Sequence, residues 1–408
     1  MRATAELGAS LLQARQLDEA AALLQQAHAF LSGRERGRVA LDLGNLAVLK
    51  NQPEAASEHY REAVQLAGGD PQIEYPARLN LVRLASPPLR LAELDRIARQ
   101  VSALPASVAR TRWQINLGEQ YGDAGEAGVP RAYQALDDAR RSAAVATEPV
   151  LRAQALDMLA QLYEDQQRNA EAVQLTRRAL GLAAALPAGA LGDREVRLEW
   201  RLARLDSKLG RPDAALAAWQ RAVRKAEALR QDLPIDDERG RSTYRTVLQP
   251  VYLGLVEGLL ASADRAPGAQ GSRDALRQVV DTIELMRQSE LQDYLGDRCE
   301  VDAVKGGTAT VIPRDVGVLY PIVLADRLEL LLETSDGITR RRSAASAQQV
   351  RTLTTGFARN LRGGGEDFLS QARQLYDWVL RPVEQDLAGQ RVKTLVIVPD
   401  GSLRLVAV

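Results

Sequence analysis

The sequence predicts a mainly α protein: a solenoid of paired helices over residues 1–235, a helical continuation over 236–304, and a partial α/β domain over 305–408. Three observations carry this. A pattern of small and large apolar residues recurs at fixed internal spacing through the first half. Ala, Leu, Gln, Arg and Glu dominate and only 4% of residues are aromatic, so helices must meet on small side chains. After Gly306 and Gly307 the apolar period changes from helical to alternating or continuous short runs.

The repeats come first along the chain. One unit places Leu7, Gly8, Leu11, Ala20, Leu24 and Ala27; the next places Leu43, Gly44, Ala47, Ala56, Tyr60 and Ala63. A later unit gives Leu159, Ala160, Tyr163, Ala172, Thr176 and Ala179, and the last gives Leu202, Ala203, Asp206, Ala215, Trp219 and Ala222. The spacing is shared by all four, with Thr176 and Asp206 standing where bulk is expected. Each unit reads as two antiparallel helices: Gly or Ala lets them approach, and a large residue fills the remaining gap. No unit can bury its apolar stripe alone, so the array is stable only as a stack. These residues resemble the tetratricopeptide repeat. Turn signals at Asn51–Pro53 and Gly210–Asp213 separate the helices.

Between these units the pattern blurs. Tyr75–Leu104 is helical in period but interrupted by Pro76, Pro87 and Pro88, with Pro105 following. Arg112–Ala144 starts well with Leu117, Gly118 and Tyr121, carries an insertion at Gly122–Gly128, and resumes at Leu136 and Ala139. Both read as degenerate repeats. Asp236–Leu295 is a longer helical region broken at Ala263–Gly271.

In the C-terminal part, Val316–Leu324 and Arg327–Glu333 read as strands around an Ala325-Asp326 turn, and Gly337–Arg342 as a third. Ala347–Leu361 is an amphipathic helix, Arg362–Gly365 a loop, and Asp367–Leu387 a second helix that Pro382 kinks. Thr394–Val398 is a short apolar run suited to a central parallel strand covered on both faces. The runs Tyr320–Leu332, Leu375–Leu387 and Thr394–Val406 resemble the opening of the domain found in CHAT proteins, caspase-like peptidase domains often fused to tetratricopeptide repeats; Glu284–Leu295 resembles the helix that joins the two. The family usually has Pro then Phe where Ala407 and Val408 stand. The resemblance implies that the intact parent is a caspase-like cysteine peptidase in which a Cys thiolate attacks a peptide carbonyl and a His protonates the leaving amine. It also implies that both residues lie beyond Val408, so no catalytic residue is carried onto this chain. The chain is then expected to bind proteins without cleaving them, or to act as a non-enzymatic scaffold; an exposed edge at Thr394–Val398 could pair with the missing half or a second subunit.

Composition limits the other classes. Lys plus Arg and Asp plus Glu both number 53, so no global attraction to nucleic acid or an anionic membrane surface is expected. No uninterrupted apolar run of about 18 residues occurs, so no transmembrane helix is expected. Met1–Leu7 reads as helix, without the charged-then-apolar pattern of a leader. The single Cys excludes an intrachain disulfide, and with the rest predicts a cytoplasmic protein.

Candidate sites are few, and no cofactor is implied. Cys299 reads as an incidental linker thiol. His28 and His59 are too few for a metal site without carboxylate help, and read as packing or surface residues on the second helices of the first two units. Gly363–Gly365 is followed by Glu366 and Asp367, where a phosphate loop needs Lys and a hydroxyl. Arg340–Arg342 could grip an anion but reads as edge protection, and Asp236–Glu238 as charge at a helix start. The better candidate is the face lined by the first helix of each unit. By register it carries Arg38, Asn45, Gln154, Asp157, Gln161, Arg197, Trp200, Arg204 and Lys208. Trp200 with Arg197, Arg204 and Lys208 at helical spacing could hold an acidic peptide by ion pairing and stacking.

Overall fold

Six helix pairs build the N-terminal part of the computed structural model, which describes residues 1–142, 148–187, 189–230, 242–266, 268–295, 312–363 and 368–406. The chain divides into two compact units, Met1–Val247 and Leu248–Val408. Cys299, Asp236–Glu238, Gly364–Asp367, Ala407 and Val408 lie outside the described residues.

In the first unit, the pairs are α1 (Arg2–Gln13) with α2 (Leu17–Phe30), α3 (Gly33–Leu49) with α4 (Pro53–Leu66), α5 (Pro71–Leu84) with α6 (Pro87–Ala103), α7 (Val108–Asp123) with α8 (Val129–Arg141), α9 (Pro149–Asp165) with α10 (Asn169–Ala183), and α11 (Arg194–Lys208) with α12 (Pro212–Ala228). The small-residue positions explain the pairing. A Cβ on Gly8 would meet Leu24 Cγ at 2.9 Å, and one on Gly44 or Gly118 would overlap Tyr60 or Leu136. Tyr60, Leu24 and Leu136 are themselves fully buried.

The turn inside each clear unit is equally uniform. Seven residues after the Gly or Ala, the backbone enters the left-handed region at Arg15, Asn51, Gln167 and Gly210, with φ of 63°, 56°, 57° and 68°. The next N–H closes back on the first helix: Gln16 to Leu11 O, Gln52 to Ala47 O, Arg168 to Tyr163 O and Arg211 to Asp206 O, at 2.8–3.0 Å. This is one helix-ending motif repeated four times, and Gly or Asn suits it best. Gln167→Gly is therefore expected to stabilise the unit by about 1 kcal/mol, less what glycine adds to unfolded-chain entropy. Urea unfolding should show a higher midpoint, and Gly210→Ala a lower one.

Pro87 and Pro88 interrupt the helical stretch as expected, since α5 ends at Leu84 and α6 begins at Pro87; Pro76 does not. Pro87 opens α6 at its first turn, as Pro53, Pro71, Pro149 and Pro212 open theirs, where a missing N–H costs nothing. Only Pro76 lies inside a helix among those predicted to interrupt, and α5 runs through it. The blurred stretch is thus a regular pair held by different chemistry: buried Arg78 on α5 reaches Glu74 at 3.1 Å, and Glu93 and Gln100 on α6 at 3.2 and 2.5 Å. The two departures from the repeat pattern are also satisfied. Thr176 donates to Ala172 O at 2.8 Å, and buried Asp206 takes Arg177 and Arg211 at 3.5 and 3.4 Å.

In the second unit, α13 (Gln249–Arg265) and α14 (Ala269–Leu295) form an antiparallel pair. Tyr244–Arg265 is long and apolar enough to span a membrane by length and composition, which a search for uninterrupted apolar runs does not register; Val251, Tyr252, Leu255, Val256 and Leu259 are buried, as in a core helix. The sheet comprises β1 (Val316–Val323), β2 (Leu328–Thr334), β3 (Gly337–Ser343) and β4 (Thr394–Ile397) in the order β3-β2-β1-β4. β1–β2 and β2–β3 are antiparallel, while β4 runs parallel to β1. Leu328, Leu330 and Leu332 pack with α15 (Ala347–Gly363) and α16 (Phe368–Val379). The parallel direction of β4 is as expected; among the described residues it lies at an edge, with Thr394 and Val396 exposed, which fits the expected open edge and not the expected central strand covered on both faces. The helix predicted through Leu387 breaks after Val379 into a short 3-10 turn at Arg381–Val383 and α17 (Glu384–Gly389), because Pro382 cannot donate in mid-helix.

The anions held by the three consecutive arginines are the chain's own carboxylates. Glu329, with no exposed surface, accepts from Arg327 Nε at 2.7 Å, Arg340 Nε at 2.8 Å and Arg342 Nε at 3.1 Å. Arg340 and Arg342 also reach Asp264 of α13 at 3.0 and 2.6 Å, and Arg341 pairs with Asp386 at 2.7 Å.

Candidate binding face of the first helices

The first helix of each pair contributes to one continuous face, because α3, α5 and α7 each touch the first helix before them. Near the N-terminus this face carries two cavities, of 420 and 570 Å³. Asp42 on α3 lines both. Burial pushes its carboxyl up to about 6, against the opposing pull of Arg38. Of the residues picked from sequence, Arg38 lines the larger cavity and Asn45 the smaller. Asn45 Oδ1 accepts from Tyr60 Oη at 2.9 Å and from Asn80 Nδ2 at 3.0 Å. A third cavity, of 370 Å³, follows between α5 and α7, with Asn80, Arg112 and Asn116 on its wall. Asp42, Asn80, Arg83, Arg112 and Asn116 lie outside the set that the repeat register singles out. Asn80 and Arg83 belong to the blurred pair, whose register is not countable; Asp42 follows Arg38 by four residues on a clear helix, which is the signal for it.

Toward α9 and α11 the face becomes a charge cluster. Asp157, buried, is held by Arg201 and by Arg194 at 2.7 Å. Burial works to raise the Asp157 carboxyl, but Arg201 and Arg194 outweigh it and hold it below the usual carboxylate range. Gln161 accepts from Arg201 at 2.9 Å. Glu164, also buried, takes Arg204 at 2.9 Å and Lys208 at 3.4 Å. The Arg204 guanidinium lies 4.3 Å from the centre of the Trp200 ring. Its Nη1 is buried and has no hydrogen-bond partner among the described residues. Arg197 stands aside on Asp193 at 2.7 Å, and Gln154 makes no hydrogen bond to the cluster among the described residues.

The structure thus brings together Asp157, Gln161, Trp200, Arg204 and Lys208 from the sequence selection, and adds Arg194, Arg201 and Glu164. It corrects their roles in part. Asp157 is an internal counter-ion rather than a contact offered outward, and Glu164 already takes part of the charge of Arg204 and Lys208. Four cations (Arg194, Arg201, Arg204, Lys208) meet two buried carboxylates (Asp157, Glu164), and the exposed Asp165, which accepts from Gln161 Nε2 at 2.8 Å, offsets part of the remaining charge. The signal that could have revealed Glu164 is its place on α9 three residues after Gln161, one turn along the same face.

A tetratricopeptide repeat family model matches residues 153–186, which spans most of α9 and all of α10. No curated protein matches the chain in sequence. Among solved structures, the chain is similar to a signal transduction ATPase with numerous domains carrying a tetratricopeptide repeat sensor, from Pyrococcus horikoshii, with TM-score 0.51 and 12% identity over 72% of this chain. The match spans 44% of that protein's length. The apo quorum sensor NprR from B. thuringiensis aligns at TM-score 0.43 and 12% identity, over 70% of this chain and 86% of that one. A Rap protein complexed with competence and sporulation factor aligns at 0.43 and 12%, over 66% and 81%. The chain therefore carries a tetratricopeptide repeat within a mainly helical, tetratricopeptide-like solenoid, accompanied by a small mixed sheet.

Proposed function

We propose that the helical array is a protein-recognition module that holds an acidic peptide segment on the face of its first helices. The observation that carries this is the Trp200–Arg204–Lys208 surface, where the Arg204 guanidinium stacks on the Trp200 ring and Lys208, only 3.4 Å from Glu164, keeps about half of its side chain exposed. An incoming carboxylate would meet the half-exposed Lys208 ammonium and the solvent-facing part of the Arg204 guanidinium, while an apolar neighbour on the peptide would cover the Trp200 ring. The similarity in fold to a sensor array is compatible with such a role. Selection of binders from a random peptide library on the intact chain tests it. Enriched sequences should contain Asp or Glu, and Arg204→Ala should weaken them by about 10-fold or more, the equivalent of one charge-assisted hydrogen bond. Neutral or basic enriched sequences, or binding indifferent to Arg204→Ala and to salt, would sink it.

A second reading concerns the smaller unit. We infer that it corresponds to the opening of a CHAT-type domain, and that an intact parent is a caspase-like cysteine peptidase whose His and Cys are not in this chain. The three motif runs support it, as does a β1–β2 hairpin followed through helices by a parallel β4. On this reading the chain shows no peptidase activity of its own. Peptide cleavage abolished by Cys299→Ser would contradict it.

A further inference from the structure

The two histidines of the chain are far apart in sequence and meet in space. His28 is near the end of α2, while His59 and Glu62 lie three residues apart on α4, on one face of that helix. His28 Nε2 is 2.8 Å from Glu62 Oε2. The imidazole centres are 6.0 Å apart and the rings nearly perpendicular, at 85°. One donor atom from each of His28, His59 and Glu62 lies within 4.8 Å of the others. The second carboxylate oxygen, Glu62 Oε1, accepts from Arg36 Nε at 2.7 Å. All three side chains are half-buried, so they are positioned by packing yet reachable from solvent.

We infer that His28, His59 and Glu62 form a binding site for a divalent transition-metal ion of the zinc type, joining the second helices of the first two pairs. Zinc takes imidazole nitrogen and carboxylate oxygen at about 2.0–2.2 Å in a tetrahedron, which sets neighbouring donors roughly 3.3 Å apart. The three donors bracket that value. The 2.8 Å edge must open slightly and the widest, at most 4.8 Å, must close; side-chain rotation achieves both. Two imidazoles with one carboxylate suit zinc and its neighbours, whereas magnesium and calcium prefer oxygen alone. Arg36 fixes the carboxylate through the oxygen not offered to the metal, the supporting role that outer contacts play at metal sites. Three protein donors leave a fourth position for water. The carboxylate help that two histidines need comes from Glu62, for which His59-x-x-Glu62 is the local sequence signal.

Composition makes the test clean, because the chain contains 2 His and both belong to this cluster. The intact chain, carrying no histidine tag, is stripped of metal and titrated with Zn²⁺ by calorimetry and with Co²⁺ by visible absorption. One equivalent of Zn²⁺ should bind, and Co²⁺ should give the strong visible bands of a four-coordinate ion. His28→Gln with His59→Gln should weaken uptake by more than about 100-fold, and Arg36→Gln by about 10-fold. Should the double variant fold poorly, the imidazole nitrogen signals of the unaltered chain decide the matter, since both must shift on adding Zn²⁺. No stoichiometric uptake, uptake undiminished in the double variant, or unmoved imidazole signals would each overturn the site and leave His28, Glu62 and Arg36 as a tether between helices.

Discussion

Glu329→Gln is expected to destabilise the C-terminal unit by about 3–5 kcal/mol, the cost of removing one partner from a buried ion cluster. Glu329 has no exposed surface and serves three guanidinium groups at once, from Arg327, Arg340 and Arg342. Without its charge, Asp264 alone, half-exposed on α13, would face Arg340 and Arg342. The pH dependence follows the same charges. Burial works to raise the Glu329 carboxyl, but hydrogen bonds from Arg340 and Arg327 outweigh it, leaving the group below its ordinary value. A depressed folded-state value means that the contribution is complete above the unfolded glutamate range, about 4.3, and is lost as pH falls through the folded value. Hydrogen exchange at the β2 amides checks both statements. The variant should lose protection at neutral pH, and its difference from the parent should shrink in acid. A change below about 1 kcal/mol would mean that water, rather than the arginines, solvates this carboxylate.

The second large effect is expected at Asp157. Asp157→Ala leaves Arg201 buried beside Gln161, with Glu164 as its remaining counter-ion at 3.5 Å. A loss of about 3–5 kcal/mol in the first unit is expected. The double variant Asp157→Leu with Arg201→Met should recover much of it, because apolar side chains of similar volume need no counter-ion. Urea unfolding of the single and double variants provides the comparison. Equal destabilisation in both would show that Asp157 acts through packing instead of charge. Its pH profile has the same sign as that of Glu329, since Arg201 and Arg194 depress the carboxyl despite its burial: stability is retained above the unfolded aspartate range and lost in acid. These results bear on the proposed function, because they separate Asp157, an internal counter-ion, from Arg204 and Lys208, which are proposed to meet a peptide.

Much of the solenoid is legible from residues close together in the chain. Gly8, Gly44 and Gly118 mark where two helices touch, and Asn51 and Gly210 mark a left-handed turn that few other residues adopt cheaply. These are local constraints: a missing Cβ or a positive φ acts within one helix pair, so counting positions in one sequence suffices. The antiparallel hairpins of β1, β2 and β3 are equally local, set by the short turns around Asp326 and Asp336. Pro76 misled because proline carries two meanings: Pro87 opens a helix after a real break, whereas α5 runs through Pro76, and only the surrounding packing chooses between them.

Tertiary structure alone decided which charges are spent internally. Arg340–Arg342 reads from sequence as edge protection, and β3 is an edge of the described sheet, yet Glu329 lies opposite across the β2–β3 ladder and Asp264 comes from a helix far earlier in the chain. Arg204 and Lys208 read as free cations, yet Glu164 meets them across helices forty residues apart. His28, His59 and Glu62 likewise converge only once the first two pairs stack. The physical reason is common to all three. Backbone geometry is set by each residue's own sterics and nearest neighbours, whereas the strength and availability of a charge depend on what burial brings beside it.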